Sequence, residues 1–276
     1  MRRAFFYQMC RGMSDIGLFY ILLPPFLESK VMKKKFFYAG VFCLWASGCL
    51  AQLNVQLHYD LGHKMYGHAI ASRQHLTATV ENFSADRWGS TYFFVDADLG
   101  DNVLRGAYGE LAREFQTAKM PVAFHVEYNG GLSYGSGHGD GYAFGDAYLA
   151  GMAYNWNGKD FTKGFSVQAL YKYTAKSGPY CHGWQLTGVW RYGFLKGLCS
   201  FTGFVDLWHD NRVNGNLVLV SEPQFWFNLA ALKKVSDDFR LSVGTEVEIS
   251  NNFVYTEEGC NNRFLAIPTL ACKWEF

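Results

Sequence analysis

Several features that define common classes of protein are missing from this sequence. Beyond residue 51 it has no apolar run of about 18 residues, which excludes transmembrane helices from that part of the chain. It has no Cys-X-X-Cys pair of the kind that binds zinc, and the cysteines beyond residue 51 are too sparse for a disulfide scaffold. The 25 Lys and Arg residues balance the 24 Asp and Glu residues, so the charge gives no indication of a nucleic-acid partner.

Aromatic side chains are what the sequence has in abundance. They make up 18% of the chain, with 24 Phe, 17 Tyr and 8 Trp residues. Aromatic residues gather at interfaces, either with protein partners or with membrane headgroups. The composition therefore indicates an interface, and the 276 residues fit one large domain or two small ones.

The amino-terminal region has the three parts of a secretory signal peptide. Residues 32–51 read MKKKFFYAGVFCLWASGCLA, in which three lysines precede an apolar run and then small residues. We predict cleavage after Ala51 and a single mature domain at residues 52–276. Residues 1–31 then precede the true start codon.

Two alternatives for this region stay open. A membrane anchor at residues 16–27 is interrupted by Pro24 and Pro25 and is shorter than the roughly 20 apolar residues that a helix needs to span. A lipoprotein would begin at Cys49, which follows Ala46-Ser47-Gly48.

Segments in which apolar and polar residues alternate recur throughout the predicted mature chain. This period of two is the signature of a strand with one apolar face. We predict twelve strands, at residues 53–60, 72–83, 89–98, 106–117, 121–130, 145–156, 163–174, 182–192, 198–208, 217–228, 238–250 and 264–276.

The pattern is clearest in three of these segments. Residues 238–250 place Val243 and its apolar neighbours on one face, and residues 163–174 repeat the pattern. The last segment keeps the alternation up to the final residue, Phe276. The segment at 106–117 alternates poorly, which indicates a β-bulge near Arg113.

Strand length and loop length favour a transmembrane barrel over a soluble sandwich. Most of the segments have about ten residues or more, the length of a tilted membrane span, whereas sandwich strands are shorter. Aromatic residues crowd the strand ends, as in the girdles of outer-membrane barrels, and short connections alternate with longer ones. We therefore predict an all-β fold, an antiparallel up-and-down β-barrel of about 12 strands in the outer membrane of a Gram-negative bacterium.

The terminal strand has a special role in this prediction. With an even number of strands, both chain ends lie on the periplasmic side, and the last strand closes the barrel against the first. Its apolar face then meets outer-membrane lipid. The final aromatic residue, Phe276, is the expected signal to the barrel-assembly machinery.

One region resembles a known family. Residues 80–115 contain VENFSADRWGSTYFFVDADLG followed by GAYGELAREF, and FSVQALYKYT, FTGFVDLW and the terminal KWEF follow later. In this order the segments resemble the Tsx-type nucleoside-specific outer-membrane channels. WGSTYFFVDAD, HVEYNGG, QLTGVW, VSEPQFWFN and SVGTEVEISNNF are more similar still to an uncharacterised Tsx-like family of Bacteroidetes-type bacteria. The resemblance implies a channel for nucleosides.

The alternation also predicts which side chains face the lumen. A small polar aromatic solute such as a nucleoside would stack on aromatic rings, while carboxylates accept hydrogen bonds from its ribose hydroxyls. The predicted solute-facing residues are Glu81, Tyr92, Phe94, Asp96, Glu110, Glu127, Arg191, Asp206, Trp208, Glu222 and Glu246.

Other functions have weaker support in the sequence. In one alternative the inner charges pair across the lumen and plug it, leaving a structural or interaction barrel without transport. Ser136, His138 and Asp140 would serve an outer-membrane lipid hydrolase, but they lie in a glycine-rich, flexible loop, so we predict no enzyme activity. We predict no cofactor and no metal site. Whether Cys181 and Cys260 form a disulfide stays open.

Overall fold

The structure is a computed structural model. It describes residues 51–70, 73–100, 103–116, 120–134, 141–143, 145–175, 177–232, 235–236, 238–254 and 262–276. The predicted upstream region and signal peptide up to residue 50, the loop residues Ser136, His138 and Asp140, and Cys260 lie outside these ranges.

Nearly all of the described chain is strand. The strands are β1 Ala51–Asp60, β2 Leu76–Asp86, β3 Gly89–Gly100, β4 Val103–Gln116, β5 Val122–Tyr134, β6 Gly141–Ala143, β7 Ala147–Asn157, β8 Lys163–Thr174, β9 His182–Phe194, β10 Cys199–His209, β11 Leu217–Ser221, β12 Gln224–Asn228, β13 Leu241–Asn251 and β14 Phe264–Glu275. One α-helix, α1, spans Gly62–Tyr66, and short 3₁₀ turns span Gly67–Ile70, Gly178–Tyr180, Leu195–Gly197 and Leu229–Ala231. None of the helices in the described ranges is long and apolar enough to cross a membrane.

These strands form a closed antiparallel barrel of twelve strands, as the sequence predicts. Each strand pairs with the next, and β14 pairs with β1 to close the ring, for example at Leu57 and Cys272. β11 and β12 together form one barrel strand, interrupted at Glu222 and Pro223, and both pair with β10 and β13. β6 is a short addition to β5.

The period of two determines which side chains point inwards. In β1, Val55, Leu57 and Tyr59 are exposed on the outer surface, whereas Gln56 and His58 are buried inside the ring. The same division holds in β8, β13 and β14, where the predicted apolar faces point outwards. The outer surface is therefore a band of exposed apolar and aromatic side chains, which is the surface that lipid solvates in a barrel of this type.

The connections between strands differ at the two ends of the barrel. We call the end where β1 begins and β14 finishes the termini end, and the opposite end the loop end. At the termini end the β2–β3 turn is the tightest, whereas the β12–β13 connection spans residues 229–240. The turn between β2 and β3 requires a glycine at Gly89, which has a φ of 143° and would place a Cβ atom 2.0 Å from the backbone oxygen of Glu114.

The predicted bulge near Arg113 is wrong. Around Arg113 the pairing of β4 with β3 and β5 is regular. The irregularity lies at the loop end of the same strand pair, where Asp98 pairs with Gly106 but Leu99 pairs with Leu104. Arg105 is the extra residue. The poor alternation of β4 has a different cause, because Arg113 lies on the outer face at the termini end and donates hydrogen bonds to Asp86 at 2.8 and 2.9 Å.

Candidate functional site

The interior of the barrel holds the predicted solute-facing residues. Strand pairing places those on seven strands on the inner face, and Glu222, at the β11–β12 junction, has the same parity as Val220 and Gln224, which face inwards. They are Glu81 of β2, Tyr92, Phe94 and Asp96 of β3, Glu110 of β4, Glu127 of β5, Arg191 of β9, Asp206 and Trp208 of β10, Glu222 at the β11–β12 junction, and Glu246 of β13. Seven of these eleven side chains are carboxylates and one is basic, so this set gives the lumen a strongly negative wall.

Aromatic rings form a strip along one part of this wall. The ring centroids of Tyr92 and Phe94 lie 6.1 Å apart, and those of Phe94 and Tyr108 lie 6.0 Å apart. The Tyr108 hydroxyl donates a hydrogen bond of 2.7 Å to the Glu110 carboxylate. Sequence reasoning missed Tyr108, although its even spacing from Glu110 places it on the same face of β4. We call Tyr92, Phe94 and Tyr108 the aromatic strip.

Carboxylates surround the aromatic strip from both sides of the lumen. Asp96 accepts a hydrogen bond of 2.5 Å from the Thr79 hydroxyl and is held beside the strip. Glu222, at the β11–β12 junction, is five strand positions from β3 in the ring of twelve. It nevertheless repels Asp96 of β3 electrostatically. Glu110 and Asp206 interact across the lumen in the same way. The middle of the lumen therefore carries carboxylates on opposite walls.

Two groups of inner side chains are cross-linked by hydrogen bonds. On one side, the Lys172 ammonium donates to Gln185 at 2.7 Å and lies 4.3 Å from the centre of the Trp208 ring. Gln185 in turn donates to Thr187 at 3.1 Å, and the Thr187 hydroxyl donates to Asp206. This network holds both Trp208 and Asp206 in fixed positions, because each contacts a partner that is itself held.

The second group lies nearer the termini end, where Gln56 donates to Glu81 at 2.8 Å and contacts His58 at 2.9 Å. Trp226 is 1% exposed inside the barrel, with the Lys273 ammonium 4.7 Å from its ring centre. Sequence reasoning did not single out Gln56 or His58, although both share the parity of inner residues on β1. It assigned Trp226 to the aromatic girdle at the strand ends, which is wrong, because Trp226 lies on the inner face of β12.

Arg191 and Glu246 have different surroundings. Arg191 donates a hydrogen bond of 3.3 Å to Asn157, and its buried Nε atom has no hydrogen-bond partner in the described part of the chain. Glu246 accepts a hydrogen bond of 2.6 Å from Gln224. Arg191 lies on β9, away from the aromatic strip on β3 and β4. Glu246 interacts electrostatically with Asp96, which lies beside the strip.

The segment between β1 and β2 folds into the loop end of the barrel, which sequence reasoning missed. The strand predicted at residues 72–83 begins too early, because β2 spans Leu76–Asp86. We call residues 61–70 and 73–75 the inward segment. Its Ile70 side chain is fully buried against Leu265 and Ile267, which lie on the inner face of β14. Three residues later, Arg73 forms ion pairs with Asp60 and Glu248.

Charge on Arg73 is maintained by its two partners. Burial lowers the pKa of this guanidinium, but the carboxylates of Glu248 and Asp60 raise it further than burial lowers it, to above its ordinary value. Asp60 and Glu248 are 6% and 3% exposed, so they need this counter-charge. The inward segment thus brings a fixed positive group into an acidic lumen.

The residues considered for other chemistries do not assemble into a site within the described ranges. His63 uses its Nε2 atom to donate to the Arg73 carbonyl at 2.9 Å and lies against His75, with ring centroids 4.0 Å apart. No cluster of three or more potential metal ligands occurs in the described residues. Cys181, Cys199 and Cys272 are free thiols.

Several solved outer-membrane proteins have a barrel similar to this one. The NanC porin superimposes with a TM-score of 0.52 at 11% sequence identity, over 81% of this chain and 100% of its own. The KdgM porin has a TM-score of 0.41 at 11% identity, covering 82% and 99% of the two chains. The outer membrane protein Omp33 of Acinetobacter baumannii has a TM-score of 0.38 at 12% identity, covering 83% and 98%.

At such low identity, the NanC likeness demonstrates a shared fold, and the resemblance to nucleoside-specific channels stays a prediction. No curated protein matches the sequence. Residues 51–276, which comprise the whole barrel, match the family described as Domain of unknown function (DUF5020). The chain belongs to this family.

Proposed function

We propose that the chain forms a channel in the outer membrane of a Gram-negative bacterium, through which small polar solutes diffuse, and that nucleosides are the solutes that fit it best. The observation that carries this proposal is the aromatic strip of Tyr92, Phe94 and Tyr108 beside the carboxylates of Asp96 and Glu110 on one inner wall. A nucleobase can stack on such rings with about 1 to 3 kcal/mol per base. The adjacent carboxylates accept hydrogen bonds from the sugar hydroxyls.

The outer surface supports the membrane location. Apolar and aromatic side chains, such as Val167 and Leu186, are exposed all around the outside of the ring. In water a band of this size would drive aggregation, whereas lipid solvates it at no cost. In the described ranges each of the twelve barrel strands pairs with a neighbour on both sides, as a membrane requires.

The carboxyl end supports an interaction with the barrel-assembly machinery. The backbone N–H of Phe276 donates to Leu53 at 3.0 Å, so the last residue is joined to the first strand, and its ring is 63% exposed on the outer face. We propose that this exposed ring is presented to the assembly machinery before the barrel closes. A diffusion channel catalyses no reaction, so the proposed function needs no cofactor.

Reconstitution into planar bilayers tests the channel. We expect a small conductance that falls when a nucleoside is added and does not change when ribose is added at the same concentration, because ribose has no base to stack. Asp96→Asn should weaken the block, because a neutral amide is a poorer acceptor than a carboxylate. A conductance that nucleosides do not change would support the channel and contradict nucleosides as its solute.

A second candidate is a plugged barrel with a structural or interaction role. The hydrogen-bonded network from Lys172 to Asp206 and the inward segment at the loop end favour it, since both occupy the lumen. The same bilayer experiment separates the candidates. A plugged barrel would insert and yet show no conductance at any salt concentration.

A further inference from the structure

We propose that Arg73 latches the inward segment into the loop-end mouth and thereby sets both the conductance and the ion preference of the lumen. The proposal rests on the channel function proposed above. It assigns to a residue outside the barrel strands a role in selecting solutes. The latch has an apolar part, formed by Ile70, and an ionic part, formed by Arg73.

The apolar part holds the segment against one wall. Ile70 is 0% exposed and packs on Leu265 and Ile267, both on the inner face of β14. A side chain added at Gly62 would meet Ile267 at 2.7 Å and Ile70 at 2.9 Å, so α1 lies as close to this wall as a glycine allows. The Tyr66 hydroxyl also contacts the backbone of Ala266, donating to its carbonyl at 3.2 Å and accepting from its N–H at 3.0 Å.

The ionic part ties the segment to two strands at once. The Nε atom of Arg73 lies 2.5 Å from the Asp60 carboxylate, and its Nη1 atom lies 2.7 Å from Glu248. Asp60 ends β1 and Glu248 belongs to β13, so one guanidinium joins strands on either side of β14. The planar guanidinium has several N–H donors in fixed directions and can bridge two carboxylates, whereas the ammonium of a lysine cannot match that geometry.

Arg73 also acts on carboxylates that it does not touch. Glu222 and Glu246 lie deeper in the lumen, and both interact electrostatically with the Arg73 guanidinium. The guanidinium therefore offsets part of the negative field that a permeating ion meets behind the mouth. Removing it would open the mouth and make the lumen more selective for cations, since rings of carboxylates favour cations in pores.

The experiment compares Arg73→Gln with Arg212→Gln in planar bilayers with a salt gradient. Arg212 is a matched control, because it also pairs with an aspartate, Asp210, at 2.6 Å, but in a loop connection between β10 and β11 with its side chain 50% exposed. For Arg73→Gln we expect conductance to rise about twofold or more. We also expect the reversal potential to shift towards the equilibrium potential of the cation. Arg212→Gln should behave as the wild type.

Two further variants separate charge from size. Ile70→Ala loosens the apolar anchor and leaves the charge in place, so it should raise conductance with little shift in reversal potential. Arg73→Lys keeps the charge but loses the fork, so it should raise conductance and keep more of the wild-type ion preference than Arg73→Gln does.

A second measurement does not depend on conduction. Amide hydrogen exchange in residues 62–70 should be faster in Arg73→Gln than in the wild type and unchanged in Arg212→Gln, because the segment opens more often without its latch. Unchanged conductance, reversal potential and exchange in folded Arg73→Gln would overturn the proposal while leaving the channel intact. If all variants fail to conduct but exchange in Arg73→Gln is faster, the latch is supported and the proposed channel function is wrong.

Discussion

The imidazole of His125 lies 3.0 Å from the carboxylate of Glu127 on the inner wall of β5. On its other side, His125 lies 3.3 Å from Glu114 of the neighbouring strand, and Asn155 donates to that carboxylate at 2.6 Å. His125 is 2% exposed. A single buried ring therefore connects two acidic side chains on adjacent strands.

We expect His125→Leu to destabilise the barrel by roughly 1 to 3 kcal/mol, because two largely buried carboxylates lose their shared partner. Urea unfolding in lipid vesicles measures the change. Glu127→Gln is the matched control, since it retains a polar side chain at the same site and should cost less. Equal stability of His125→Leu and the wild type would show that water replaces the imidazole.

The orientation of β8 and β9 can be tested with one substitution at two neighbouring sites. Val167 is 54% exposed on the outer face, whereas Val189 is 39% exposed on the inner face, and their strands pair directly at Ser166 and Val189. Val167→Arg places a charge in lipid and should cost roughly 2 to 4 kcal/mol if the residue lies near the midplane. Val189→Arg faces the lumen, so its cost in the same vesicle-unfolding measurement should be smaller. A larger cost at Val189 would reverse the assignment of faces.

The aromatic strip can be tested against a neighbour on the same strand. Phe94 contacts Tyr92 and Tyr108 inside the barrel, whereas Phe93 lies on the opposite face of β3. Phe94→Ala should weaken nucleoside block of the conductance by roughly 1 to 3 kcal/mol, about the stacking energy of one base on one ring. Phe93→Ala should leave the block unchanged. Equal block in both variants and the wild type would remove the aromatic strip from the solute path.

The signal-peptide prediction can be tested on protein from native membranes. The tripartite pattern of residues 32–51 predicts that the mature chain begins at Gln52. Amino-terminal sequencing should give Gln52 as the first residue. Peptides from residues 1–31 in the mature protein would contradict the prediction.

The sequence by itself determined the strands and their faces. Alternation is a local property, since successive side chains of a strand point to opposite sides, and it reveals the apolar face of β13 or β14 without knowledge of any partner. The number of strands, the closure of β14 on β1 and the inner position of Tyr92, Phe94 and Asp96 all follow from it. The bulge was misplaced because an outward arginine at a strand end, Arg113, breaks the alternation without breaking the pairing.

Tertiary structure alone decided what fills the lumen and its mouth. Ile70 lies in a connection with no periodic pattern, and Arg73 lies where the alternation predicted a strand from residue 72, although β2 begins at Leu76. Their partners Ile267 and Glu248 are distant in sequence. Those partners meet only because the ring closes and brings the inner faces of β1, β13 and β14 together at the loop end. A buried carboxylate needs a counter-charge, and only the closed barrel determines which basic side chain can reach it.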